Sequence, residues 1–174
     1  TQNEPVGTKL TIEELWRRMI SISANTATDM LMQAVSREAC ETALVTQGNR
    51  KAERNTPFPT TREMFMLKIP DNAALRQQYI NADVAERREI LTAIDGQPLP
   101  ALTADSVSNE PLAIEDIEWF ATAPDMSAAM VWLWAKRHDA GLEPLQTILT
   151  INSGGTYDES IWNQVAFKGG SEPG

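Results

Sequence analysis

Apolar residues recur at spacings of three and four along the first hundred positions, so the chain announces itself first as a series of amphipathic helices. Ile12, Leu15, Met19 and Ile22 fall on one helical face. Ahead of them, Thr11-Ile12-Glu13-Glu14 has the form of a capping box, in which a threonine oxygen accepts from a first-turn amide and a glutamate returns the bond. The pattern predicts a helix ending close to Ser23. A second set, Ala27, Met30, Leu31, Ala34 and Val35, resumes the period after Asn25, which places Ser23 to Asn25 at the junction of two helices. Ser36 starts a third helix that Gly48 closes, and the polar stretch from Gln47 to Asn55, followed by Pro57 and Pro59, reads as a loop. Thr60-Thr61-Arg62-Glu63 is a further capping box, followed by Met64, Phe65, Leu67 and a stop at Pro70. Asp71 and Asp83 read as N-caps of two more helices, the second carrying Val84, Ile90, Leu91 and Ile94 before Gly96.

The second half is less regular. Between Gly96 and Pro111 the prolines and polar residues predict a surface excursion, and Ile114 to Phe120 alternates in part, as an extended segment does. Pro124-Asp125 opens a helix through Met126, Met130, Leu133 and Trp134, whose Met and Trp residues are assigned to the core. Ile148-Leu149-Thr150-Ile151 and Gln164-Val165-Ala166-Phe167 are short, rich in β-branched or aromatic residues and bounded by Gly, Asn and Ser, which predicts two strands. The expected fold class is therefore α+β, a mostly helical single domain over 1–174, with 1–146 mainly helical and 147–174 carrying the strands.

Composition narrows the function. A formal charge of -9, from 24 acidic against 15 basic residues with no basic stripe, speaks against a nucleic-acid partner. No run reaches the roughly 18 apolar residues of a membrane span, and no segment has the pattern of a signal peptide. Cys40 is the only cysteine and falls on an apolar helix face, so it is assigned to the core and no internal disulfide forms. His138, the only histidine, lies near a predicted helix end. A zinc centre or a Ser-His-Asp triad has little to build on, and neither metal nor cofactor is expected.

Two short elements carry chemistry. Phe167-Lys168-Gly169-Gly170-Ser171 would end a strand with a cation, two glycines that let a ligand approach the backbone, and a hydroxyl, a set suited to a carboxylate. Ser23-Ala24-Asn25 sets a hydroxyl and an amide at alternate positions of the helix junction, the first able to relay a proton and the second to bond a substrate amide or a catalytic lysine. Alone, the first is also a flexible turn and the second an ordinary cap. Together they describe two walls of a cleft.

With their flanking text these elements resemble the penicillin-recognising serine hydrolases, specifically the class A β-lactamases and the β-lactamase-like hydrolases related to them. Leu10 to Asp29 is similar to the helix leading into that family's Ser-Asp-Asn motif, with Ala24 in place of the Asp. Phe167 to Ser171 is similar to its Lys-Thr-Gly strand, with Gly169 in place of the Thr, and Ala121 to Met126 resembles the segment entering the helix after its Ω-loop.

The resemblance implies the β-lactamase/transpeptidase-like fold and acyl transfer through an acyl-enzyme. Ser23 would shuttle the proton, Asn25 orient the substrate, and Lys168 with Gly169, Gly170 and Ser171 hold a carboxylate. Glu118, or Glu115, would be the candidate for the deacylating glutamate, although Ile114 to Phe120 lacks the family's Glu-x-x-x-Asn pattern. No lysine of the five has a serine three positions before it, so the family's Ser-x-x-Lys nucleophile is expected outside this chain, which reads as a segment incomplete at both ends. The implied partner is a small molecule or peptide bearing a carboxylate, and the implied compartment is the periplasm or exterior. The alternative reading is a non-catalytic relative that uses the same cleft to sense a cell-wall or acyl ligand.

Overall fold

The computed structural model describes residues 4–98, 100 and 111–170. Most of the proline-rich excursion, and Ser171, lie outside the described residues. Eight α-helices occur among them: α1 (Ile12–Ile22), α2 (Asn25–Val35), α3 (Arg37–Thr46), α4 (Thr61–Lys68), α5 (Ala73–Asn81), α6 (Val84–Asp95), α7 (Ala123–Ala135) and α8 (Leu145–Leu149). Their starts follow from local chemistry. Thr11, Thr60 and Asp83 each accept from the amide three residues on, and Glu14, Glu63 and Glu86 return the bond. Asp71 instead lies in a 3-10 turn, Pro70–Asn72, and caps nothing with its side chain.

The core centres on α4. Met64, Met66 and Leu67 pack with Ile69, Tyr79 of α5, Ile90, Leu91 and Ile94 of α6, and Ile117. Outside that cluster Leu15 of α1, Ala27 of α2 and Leu145, Ile148 and Leu149 of α8 are also buried, with α1 packed against both α2 and α8. The apolar face of α2 differs from the predicted one. Ala27 and Met32 are buried, while Met30 and Val35 are exposed.

Polar bonds at the first turn of α4 lock three helices together. Asp29 of α2 accepts from the amides of Thr61 and Arg62 at 2.8 and 2.9 Å, and Thr60 accepts from Glu63 at 3.1 Å. Every first-turn donor that the helix leaves unpaired is thus occupied. Glu63, only 2% exposed, also holds the Arg37 guanidinium of α3 through both oxygens, at 2.6 and 3.1 Å. Arg37 donates in addition to the Phe58 carbonyl.

The α+β expectation is overturned. No strand occurs among the described residues, and the two predicted strands take other forms: Ile148 and Leu149 end the helix Leu145–Leu149 with Thr150 and Ile151 in the turn after it, and Gln164 to Phe167 has no regular structure. A strand is defined by its ladder partner, and here neither segment meets one. Within 145–149 the buried Leu145, Ile148 and Leu149 also fit a helical spacing, which decided the outcome. Ile114 to Phe120 forms turns around the buried Ile117, not an extended segment.

Helix α7 starts as predicted, with Thr122 and Asp125 forming a capping box, but its apolar side chains do not fill a core. Met126 and Val131 are 57% and 71% exposed, and Asp125 is its only buried residue. The helix is apolar almost all round, so its neighbours cover only part of it. Cys40 is likewise half-buried, not core.

Removing one member of a buried ion pair strands the other. Glu63→Ala is therefore expected to lower the unfolding free energy by about 3 kcal/mol, against under about 0.5 kcal/mol for Glu13→Ala, whose pair with Arg17 is exposed. Urea unfolding of both variants measures this, and equal losses would contradict it.

Candidate functional site

A cleft of about 650 Å³ opens between the α1–α2 corner, the first turn of α4, Trp119 and the segment that follows α8. Ser23 and Asn25 line it, and so do Lys168, Gly169 and Gly170. The two elements singled out in the sequence, 145 positions apart, thus share one cavity.

The corner itself is an unusual piece of backbone. Ser23 ends α1 with φ 52° and ψ 44°, in the left-handed region that a non-glycine residue enters at a steric cost. Its amide and that of Ala24 both donate to the Arg18 carbonyl, closing the helix. α2 then begins at Asn25, so the serine and asparagine side chains are both exposed at the bend. Two carbonyls of the last turn of α1 are satisfied from far along the chain: Asn152 Nδ2 donates to Ile20 at 3.2 Å and to Ser21 at 3.1 Å. Asn152 lines the cleft as well, so it fastens the second wall to the corner that carries Ser23.

The second wall depends on glycine. A Cβ at Gly154 would stand 2.6 Å from the Phe167 ring, and one at Gly169 would stand 3.2 Å from it, so this aromatic packs closely on backbone without side chains. Gly154 also sits at φ 73°. Phe167 then directs Lys168 to the cleft, where the ammonium donates to the Gly169 carbonyl at 2.5 Å. Among the described lining residues Lys168 is the only charged one. A cation with no acid beside it in the lining gives the cavity a positive end suited to an anionic group.

Six further described residues line the cleft outside the two predicted elements, Ile20, Thr61, Met64, Phe65, Trp119 and Asn152. Thr61 stood inside a recognised capping box, yet nothing in that signal says which cavity the helix start borders. The first turn of α4, through Thr61, Met64 and Phe65, borders the cleft, whereas no residue of α7 does.

Other candidates lie elsewhere. Glu118 pairs with Lys68 and does not line the cleft. Glu115 is exposed and stands 3.7 Å from Arg54. Ser171 lies outside the described residues. Cys40 sits on α3, where burial above all pushes its thiol pKa up, the opposite of what a nucleophile needs. His138 closes the 3-10 turn after α7, away from the lining residues. Among the described residues no group of three or more His, Cys, Asp or Glu is placed to hold a metal. No helix of the described residues is long and apolar enough to cross a membrane.

Comparison with known proteins adds one finding. A model of the beta-lactamase enzyme family matches residues 1–138, which include Ser23, Asn25, Thr61 and Trp119 and stop short of Asn152 and Lys168. No curated protein matches the chain.

The clasp made by Asn152 is testable by stability and by the state of the corner. Asn152→Leu leaves two carbonyls without their donor, and a loss of about 1–2 kcal/mol is expected, with displaced amide resonances at Ser23 and Ala24. The same change at the exposed Asn163 should alter neither. Wild-type stability and an unmoved Ser23 resonance in Asn152→Leu would refute the clasp.

Proposed function

The chain belongs to the beta-lactamase enzyme family, and from that premise we propose that its cleft binds the carboxylate of an ester or amide substrate, β-lactams included, for acyl transfer to a serine. The observation that carries this is the composition of the described lining: one cation, Lys168, no acid, and a hydroxyl and an amide from Ser23 and Asn25.

Each residue then has a task. Lys168 draws in the substrate carboxylate, and Gly169 and Gly170 let it approach the backbone. Asn25 donates its amide to the substrate's own amide carbonyl and so fixes the reacting bond. The attacking serine oxygen forms a bond to the acyl carbon while the bond to the leaving nitrogen or oxygen breaks. Ser23, already at the bend, passes the proton from the nucleophile's side to the leaving group. Water then releases the acyl group. Glu118, tied to Lys68, has no part in this account.

The reading requires a nucleophile that these 174 residues do not supply in Ser-x-x-Lys form. A second reading keeps the cleft and drops the chemistry, leaving a binder of carboxylate ligands in an exported or periplasmic setting. A Ser-x-x-Lys upstream of Thr1 would favour the enzyme, and its absence there the binder.

Intact-mass spectrometry separates them. After benzylpenicillin or a fluorophosphonate, the 174-residue chain is expected to gain no adduct, and the full-length protein to gain one. In the latter, Lys168→Ala should lower kcat/KM by roughly 10²-fold, the scale of losing one charge-stabilising group. An adduct on the 174-residue chain would overturn the assignment of roles. No adduct on the full-length protein, with binding retained, would select the binder.

A further inference from the structure

The cleft holds a large aromatic surface that the core does not need. Trp119 is 39% exposed on its wall, although Ile117, two residues earlier, is buried at 2%. Exposure at a loop would mean little were the ring free to turn away, but it is fixed at three points. The indole N–H donates to the Pro59 carbonyl at 3.1 Å, which satisfies the one polar atom of the side chain. The ring packs against Phe58 at 34°, with centroids 6.3 Å apart. The backbone after it is stapled by Asn55, which is 1% exposed, accepts from the Phe120 amide at 2.8 Å and donates to the Phe120 carbonyl at 2.8 Å.

A buried asparagine that makes a reciprocal pair with one backbone residue holds that residue in place at little entropic cost to the ring beside it. The result is a flat apolar surface already in position when a ligand arrives, the arrangement in which an aromatic contact loses least to ordering. Phe65 and Phe167 add apolar area in the same cavity, and Lys168 supplies its charge. An apolar wall and a single cation in the described lining together fit an amphipathic anion better than a small polar one.

We propose that Trp119 is a specificity-determining residue, and that the cleft selects ligands in which a flat aryl group accompanies the carboxylate. This rests on the reading of Lys168 as the carboxylate site. Asn55 is the positioning residue for Trp119, acting through the Phe120 backbone.

The test uses two ligands that share a nucleus and a carboxylate, benzylpenicillin and 6-aminopenicillanic acid, of which only the first bears an aryl group. Their affinities for the chain are measured by titration calorimetry or by amide chemical shifts. The aryl ligand should bind about tenfold more tightly, the scale of one well-placed aromatic contact with its buried area. Trp119→Leu, which keeps apolar bulk, should bring the ratio close to one, and Trp119→Phe should retain most of it. Lys168→Met should weaken both ligands in parallel and leave the ratio unchanged. A ratio near one in the wild type, or one that survives Trp119→Leu, overturns the aryl site while leaving the carboxylate site standing. An aryl preference with no effect of Lys168→Met overturns the carboxylate site instead. Failure of both ligands to bind overturns both.

Discussion

The first turn of α4 is the constraint on which the rest of the molecule depends. A helix start brings amide donors that must find acceptors, and here they are supplied by Thr60 within the turn and by Asp29 from α2. Glu63 closes the same turn and takes the Arg37 guanidinium of α3 in a two-point pair. One turn of helix therefore fixes two others. Because α4 is also the centre of the larger core, this polar clamp and the apolar packing of Met64, Met66 and Leu67 act on the same element.

The cleft is a consequence of that arrangement. With α2 held to α4 through Asp29, the corner before α2 is brought to the side of α4 that carries Thr61 and Phe65. The corner has a left-handed serine because α1 must stop and α2 must start within two residues. Asn152 then draws the late segment against the end of α1, and Phe167, lying on Gly154 and Gly169, turns Lys168 into the cavity. Among the described residues the cleft and its one cation result from helix ends and glycines, not from a sheet.

Much of this was legible in the chain. Capping boxes announce themselves because their residues are three apart, and the two read as such, at Thr11 and Thr60, formed, while Asp83, read only as an N-cap, makes a third. The junction at Ser23 to Asn25 was readable from the break between two apolar sets. What was not readable came from partners distant in sequence. Ile148 to Ile151 satisfies a strand pattern, and only burial of Leu145, Ile148 and Leu149, with α8 packed on α1, shows the helix. The apolar side chains of α7 promised a core, but a helix apolar on every face shows no direction in which to bury. Trp119 and Asn152 entered the cleft through bonds to Pro59, Ile20 and Ser21 that no spacing rule predicts. Lys168 was readable as a residue, and the structure adds that it lines the same cleft as Ser23.

The central claim is that Ser23 and Asn25 share a cleft with Lys168 and its glycines, and it is open to direct measurement in solution. A nitroxide spin label attached at Gly170→Cys, in a chain with Cys40→Ala, broadens the amide signals of nearby residues. The account predicts strong broadening at Ser23, Asn25 and Thr61, and much weaker broadening at Glu89 of α6. Sharp, unaffected signals at Ser23 and Asn25 would show that the two walls do not meet, and would contradict it.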